Sequence, residues 1–221
     1  MRALIVDDHG VVRRGLKEIL AEGFPGLETG EAANQAEALE KAWAQEWDIV
    51  LLDIGLPGRS GFDLLVDLKQ AKPHLPVIVI SMYPEEHCAV RALQCGASSY
   101  LTKEAASDEL LKAVRRVLGG SKYITATLGE KLARDVESRE RKPHESLSNR
   151  EYQVLCMLAC GRTVKEIAGS LCLSVKTIST YRTRILEKMG LTSNAELMHY
   201  AARHKLINLQ DDGPGVPPLP V

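Results

Sequence analysis

Five short runs, at about residues 2–6, 28–32, 48–52, 76–80 and 98–102, alternate with helical patterns at about 11–21, 35–46, 61–71, 85–95 and 107–118. Strands separated by helices of about 10–15 residues indicate βαβ units, and so a parallel sheet with helices on its faces. Turn chemistry agrees: Pro57-Gly58 follows the third run, Pro73 and Pro76 precede the fourth, and Gly119-Gly120 closes the series. The expected fold over residues 1–120 is α/β, a five-stranded doubly wound parallel sheet. In such a sheet the carboxyl ends of the strands open onto one crevice, and ligands bind there.

Beyond residue 120 the pattern changes. Leu128, Leu132 and Val136 keep helical spacing, then a charged stretch from Glu137 to Glu145 contains Pro143, so 121–146 reads as a linker that begins helical and ends flexible. Residues 147–208 are purely helical in pattern, a small all-α domain. The end, 209–221, is rich in Gly and Pro and is expected to be disordered. The charge is uneven: 13 Lys/Arg face 18 Asp/Glu in residues 1–120, whereas 9 face 4 in residues 147–205. An acidic half joined to a basic half suggests a cation or phosphate site in one and a polyanion partner for the other. No apolar stretch approaches the ~20 residues a membrane span needs, and the N-terminus does not read as a signal peptide. The chain is expected to be cytoplasmic, with all five cysteines free and Cys156 and Cys160, four apart on a predicted helix, buried as small hydrophobes.

Carboxylates stand at the strand ends. Asp7 and Asp8 follow the first run, Asp53 follows the third, and Lys103 follows the fifth. Three carboxylates meeting in one crevice repel one another, and one ammonium compensates only part of their charge unless a further cation joins it; Mg²⁺ with oxygen ligands suits this supply. The same cluster suits a carboxylate nucleophile that attacks phosphorus, with Lys103 and the metal neutralising the transferred group. Asp53 is the best nucleophile, since it stands between an apolar run and the Gly55-Leu56-Pro57-Gly58 loop. Ser81, at the end of the fourth run, is placed to hydrogen-bond a phosphoryl oxygen.

In the basic half, Ser148 with Glu151 three residues on forms a capping box at a helix start. A second helix follows Gly161-Arg162-Thr163, and Ser174 caps a third that runs to about Lys188. Two short helices with a tight turn make a helix-turn-helix, whose second helix enters the DNA major groove. Helical spacing puts Val175, Ile178, Ile185 and Met189 in the core. It puts Lys176, Thr180, Thr183 and Glu187 opposite, flanked by Ser179 and Arg184. The candidate DNA contacts are Lys176, Thr177, Ser179, Thr180, Thr183, Arg184 and Lys188.

Four segments, Val6-Asp7-Asp8-His9, Leu51-Leu52-Asp53-Ile54-Gly55-Leu56-Pro57-Gly58, Val79-Ile80-Ser81-Met82-Tyr83 and Gly96-Ala97-Ser98-Ser99-Tyr100-Leu101-Thr102-Lys103, resemble a response-regulator receiver domain of flavodoxin-like fold. Leu147-Ser148-Asn149-Arg150-Glu151, Gly161 to Ala168, Leu173 to Ile178 and Glu187 to Leu191 resemble the LuxR-type DNA-binding domain, and the pair together resembles the NarL/FixJ class. The resemblance implies Asp53 as phosphoacceptor for a sensor histidine kinase, with Mg²⁺ held by Asp8, Asp53 and the carbonyl of Gly55, and by Asp7 through water. It implies Lys103 as phosphate partner, and Ser81 and Tyr100 as a switch pair in which Tyr100 rotates inward on phosphorylation. It further implies a homodimer on phosphorylation, with the last helix, about Asn194 to His204, as a dimer surface. Ser81 replaces a common threonine, Glu104 a common proline, and Tyr181 a common histidine. Two other readings stand beside this one: a regulator that binds DNA without phosphate, and a phosphotransferase with an aspartyl intermediate. The latter needs a carboxylate two residues after the nucleophile, where this chain has Gly55.

Overall fold

A computed structural model describes residues 1–57, 60–105, 107–137, 142–204 and 206–207. The expected tail at 209–221 and part of the expected flexible stretch lie outside the described residues. The chain divides into two compact units, residues 1–139 and 140–221.

The first unit alternates Arg2–Val6 (β1), Gly10–Gly23 (α1), Glu28–Ala32 (β2), Gln35–Ala44 (α2), Ile49–Leu52 (β3), Gly61–Ala71 (α3), Val77–Ser81 (β4), Glu85–Gln94 (α4), Ser99–Thr102 (β5) and Ser107–Leu118 (α5), then adds Ala126–Glu137 (α6). The sheet order is β2-β1-β3-β4-β5 with every pair parallel. β3 and β4 are buried along their whole length. That is why they read as unbroken apolar runs: helices cover both faces of a parallel sheet. On one face Ala3, Ile5, Leu51, Ile78 and Leu101 pack with Leu20, Val114 and Val117. Leu4, Val50, Leu52 and Val79, on the opposite face by strand alternation, are equally buried.

Register builds the crevice. Val6 lies opposite Leu52, so Asp7 and Asp53 leave the sheet side by side, and the Asp53 N–H donates to the Val6 carbonyl at 2.8 Å. Ser81 lies opposite Thr102, and the Lys103 N–H donates to the Ser81 carbonyl at 2.8 Å. The order reverses between β1 and β3, which makes this edge the topological switch point.

The helical half of the expected linker packs on the first unit. α6 lies against α4, Leu128 is buried, and the Thr125 hydroxyl lies 2.7 Å from both carboxylate oxygens of Glu85. The same hydroxyl accepts the Leu128 N–H at 3.2 Å, capping α6.

The second unit opens with a 3₁₀ turn, Pro143–Ser146, followed by Asn149–Ala159 (α7), Val164–Ser170 (α8), Val175–Met189 (α9) and Asn194–Arg203 (α10). The Ser148–Glu151 capping box is formed, and Thr163 with Glu166 makes a second one. Each box satisfies two of the N–H groups a helix start leaves without an internal partner. Leu155, Ile167, Ile178, Ile185 and Leu197 form a core with no exposed surface. Two expectations fail here. Val175, the first residue of α9, is 51% exposed. Cys160, at the end of α7, is also exposed, whereas Cys156 is buried. No helix among the described residues is long and apolar enough to cross a membrane.

Candidate functional site

At the β1–β3 edge, Lys103 Nζ lies 2.7 Å from an oxygen of Asp7 and 2.7 Å from an oxygen of Asp53. All three side chains are almost wholly buried. The second oxygen of Asp53 accepts the Gly55 N–H at 2.7 Å. Asp7 also accepts the His9 N–H at 2.8 Å, and Arg13 donates to the Asp7 carbonyl at 2.7 Å, which fixes the loop that carries both acids. Asp8 is partly exposed, with the His9 ring 2.9 Å away. One ligand atom from each of Asp7, Asp8, His9 and Asp53 fits within 4.8 Å of the others.

Burial raises the Asp53 pKa above the usual carboxylate value, and the neighbouring Asp7 charge adds to it. The Lys103 ammonium and the Gly55 N–H oppose the rise without cancelling it. Burial alone would lower the Lys103 pKa, but the two carboxylates outweigh it, so the net shift is upward and the group stays an ammonium. The cluster therefore holds more negative than positive charge in a buried place. The donors converging here are carboxylate oxygens, with the Gly55 loop beside them, and the Asp7 oxygen facing Lys103 is engaged by charge without a well-formed hydrogen bond. This chemistry fits a hard divalent cation such as Mg²⁺. Gly55 has a steric reason as well: a Cβ there would sit 3.2 Å from an Asp53 oxygen.

Ser81 is fully buried at the end of β4, and its hydroxyl accepts the Tyr83 N–H at 3.2 Å. Tyr100, expected to turn inward on phosphorylation, is already 1% exposed. Its hydroxyl donates to the Tyr83 carbonyl at 2.7 Å, with Ser81 and the buried Cys88 thiol beside it. Sequence reasoning missed Cys88 and the Thr125–Glu85 contact, because neither belongs to a local pattern. His9 was visible as the residue after Asp8, but nothing marked it as facing both acids.

On α9, Lys176, Ser179, Thr180, Thr183 and Arg184 are exposed, and Thr177 is half-buried. Thr177 caps with Ser174, its hydroxyl 2.8 Å from the Ser174 hydroxyl. Lys188 stands apart from the group: its ammonium is 2.6 Å from the buried carboxylate of Glu151, so it ties α9 to α7. Arg182, left without a role by helical spacing, donates to Asn194 at 2.6 Å.

A receiver-type sheet with three clustered aspartates and a lysine, followed by a helix-turn-helix, defines a two-component response regulator with a DNA-binding output domain. Residues 3–115 match the response regulator receiver domain, and residues 145–201 match the bacterial regulatory proteins, luxR family. The response regulator GacA of Pseudomonas aeruginosa is 36% identical over 211 residues, which cover 94% of this chain and 98% of GacA. The response regulator UvrY of Escherichia coli (strain K12) is 33% identical over 213 residues, covering 95% and 97%. Among solved structures, RcsB from Salmonella enterica serovar Typhimurium, bound to promoter rprA in the presence of phosphomimetic BeF3−, matches with a TM-score of 0.62 at 25% identity, covering 91% of this chain and 98% of that one. The chain belongs to the response regulator family, in its NarL/FixJ class with a LuxR-type DNA-binding domain.

Proposed function

We propose that this protein is a phosphorylation-dependent transcription regulator of the cytoplasm that takes a phosphoryl group on Asp53 from a sensor histidine kinase. The carried group then promotes homodimerisation and promoter binding. The observation that carries this reading is the Lys103 ammonium 2.7 Å from both Asp7 and Asp53: one nucleophilic carboxylate, a second acid beside it, and a fixed cation in between. An Asp53 oxygen forms the new bond to phosphorus as the bond from phosphorus to the donor nitrogen breaks. Asp7, Asp8, Asp53 and the Gly55 carbonyl would hold Mg²⁺, which supplies charge neutralisation on the transferred group. Lys103 stabilises the same charge from the other side. Beyond gaining and losing its own phosphoryl group, the protein catalyses no reaction, since Gly55 offers no second carboxylate for acid–base work.

The signal leaves the pocket through Ser81. When its hydroxyl turns to a phosphoryl oxygen, the Tyr83 N–H loses its 3.2 Å partner, and the Tyr83 carbonyl that holds Tyr100 moves with it. The loop leads into α4, which carries Cys88 against Tyr100 and Glu85 against Thr125 at the start of α6. RcsB, solved bound to promoter rprA in the presence of phosphomimetic BeF3−, pairs promoter binding with a phosphoryl mimic as this reading expects of the present chain.

Labelling with acetyl phosphate and Mg²⁺ tests the proposal. Wild-type protein should incorporate phosphate and Asp53→Asn should not; equal labelling removes Asp53 from the role. Beryllofluoride should raise DNA affinity in the wild type only. If each subunit engages about four phosphates, log K falls with log[salt] at a slope near −4, and a flat response removes DNA as partner.

A further inference from the structure

Three hydroxyls lie on the exposed side of α9, and each has given its proton away. Ser179 donates to the Val175 carbonyl at 2.9 Å, Thr180 to the Lys176 carbonyl at 3.0 Å, and Thr183 to the Ser179 carbonyl at 3.1 Å. A carbonyl has no proton, so the direction of each bond is unambiguous. A hydroxyl owns one proton and two lone pairs, so while these bonds hold, the three groups face a ligand as acceptors. Beside them Val175 is 51% exposed, one turn before Ser179. Two cations of the same helix are paired within the domain, Arg182 through its Nε with Asn194 and Lys188 with Glu151. The middle of the helix therefore presents acceptor oxygens and methyl groups, without a cation among Ser179, Thr180 and Thr183.

In the major groove guanine shows only acceptors, adenine and cytosine show amino donors, and thymine shows a methyl group. We propose that α9 reads A·T-rich half-sites through thymine methyl groups, contacted by Val175 and the methyl groups of Thr180 and Thr183, with the three hydroxyls accepting from adenine or cytosine amino groups. This rests on the DNA-binding reading above. Lys176 and Arg184 flank the patch and suit phosphates.

The test uses full-length, beryllofluoride-treated protein and a duplex pool with a randomised segment. Selected duplexes should carry A·T pairs in each half-site. Replacing single thymines by deoxyuridine should weaken binding about fourfold at one or two positions per half-site, the worth of one buried methyl group (about 0.8 kcal/mol). Thr183→Ser, which keeps the hydroxyl, should cost about the same on the thymine duplex and abolish the sensitivity to deoxyuridine at one position. Val175→Ala should do so at another. Guanine-rich half-sites, or deoxyuridine duplexes that bind as well as thymine duplexes, overturn the methyl readout while leaving DNA binding intact. A pool that yields no enriched sequence and no salt-dependent binding overturns the underlying reading, and this one with it.

Discussion

Removing the ammonium at position 103 should strongly destabilise the first unit. Lys103→Met leaves Asp7 and Asp53, 1% and 5% exposed, facing each other without the cation that sits 2.7 Å from both. Breaking a buried ion pair by deleting one partner costs about 3–5 kcal/mol, a large part of the 5–15 kcal/mol typical of a whole domain. With a urea m-value of about 1.5 kcal/mol/M, the midpoint should fall by about 2–3 M. Both tryptophans, Trp43 and Trp47, lie in the first unit, so their fluorescence reports this transition alone. The loss should also depend on pH. The Asp53 pKa is raised in the folded chain, so between the usual carboxylate value and the raised one the folded state holds its proton more tightly than the unfolded state. The stability lost across that window is common to wild type and variant. The deficit grows above it, between the folded wild-type value and the still higher one Asp53 takes without the Lys103 charge that lowers it, by at most about 1.4 kcal/mol per unit, and levels off beyond. Mg²⁺ at about 100 times its dissociation constant should return about 2.7 kcal/mol. Lys103→Met with Asp53→Asn should recover most of the loss without metal. A variant that melts like wild type at neutral pH, or a deficit blind to both pH and Mg²⁺, would refute the assignment of uncompensated charge to this cluster.

Lys188→Gln should destabilise the second unit in thermal unfolding and leave the salt slope of DNA binding unchanged, while Lys176→Gln should lower that slope by about 1 and leave stability alone. Burial would raise the Glu151 pKa, but Lys188 and the Ser148 donors outweigh it and hold it below 4.5. Stability from this group is therefore complete above about pH 4.5 and is lost as pH falls through the lowered value. Urea melts between pH 3 and 6, with Glu151→Gln as the flat control, check this. Gly61→Ala should cost more than 1 kcal/mol in the same tryptophan melts, since a Cβ would lie 2.4 Å from Ile54 Cα, a backbone atom that cannot step aside. Thr125→Val removes the cap of α6 and its tie to Glu85; hydrogen exchange should show the amides of 126–133 losing protection while those of α4 keep theirs.

What could be read from the amino acids alone follows from which relations obey a geometric rule. Strand positions came within a residue or two, because Ala3–Val6 of β1, all of β3 and Val77–Ile80 of β4 are buried on both faces and so are apolar runs. The meeting of Asp7, Asp53 and Lys103 was also legible, although 46 and 50 residues separate them, since parallel strands put all their carboxyl ends at one edge. No such rule governs pairs between helices. Lys188 and Glu151 are 37 residues apart, and helical spacing says only that Lys188 points outward, not that a buried carboxylate waits there. Spacing failed Val175 for a related reason. It gives the direction of a side chain about its own axis but not how far the neighbouring helix extends, and Val175, at the first turn of α9, is left half exposed. Tyr100 is a third case: its place in β5 was legible, but the Tyr83 carbonyl that holds it inward belongs to a loop with no periodicity. The contacts the sequence left open are thus the ones where an element ends or a loop supplies the partner. Of the residues involved, Val175 lies on the helix face proposed to read DNA, and Tyr100 on the proposed route from Asp53 to α4.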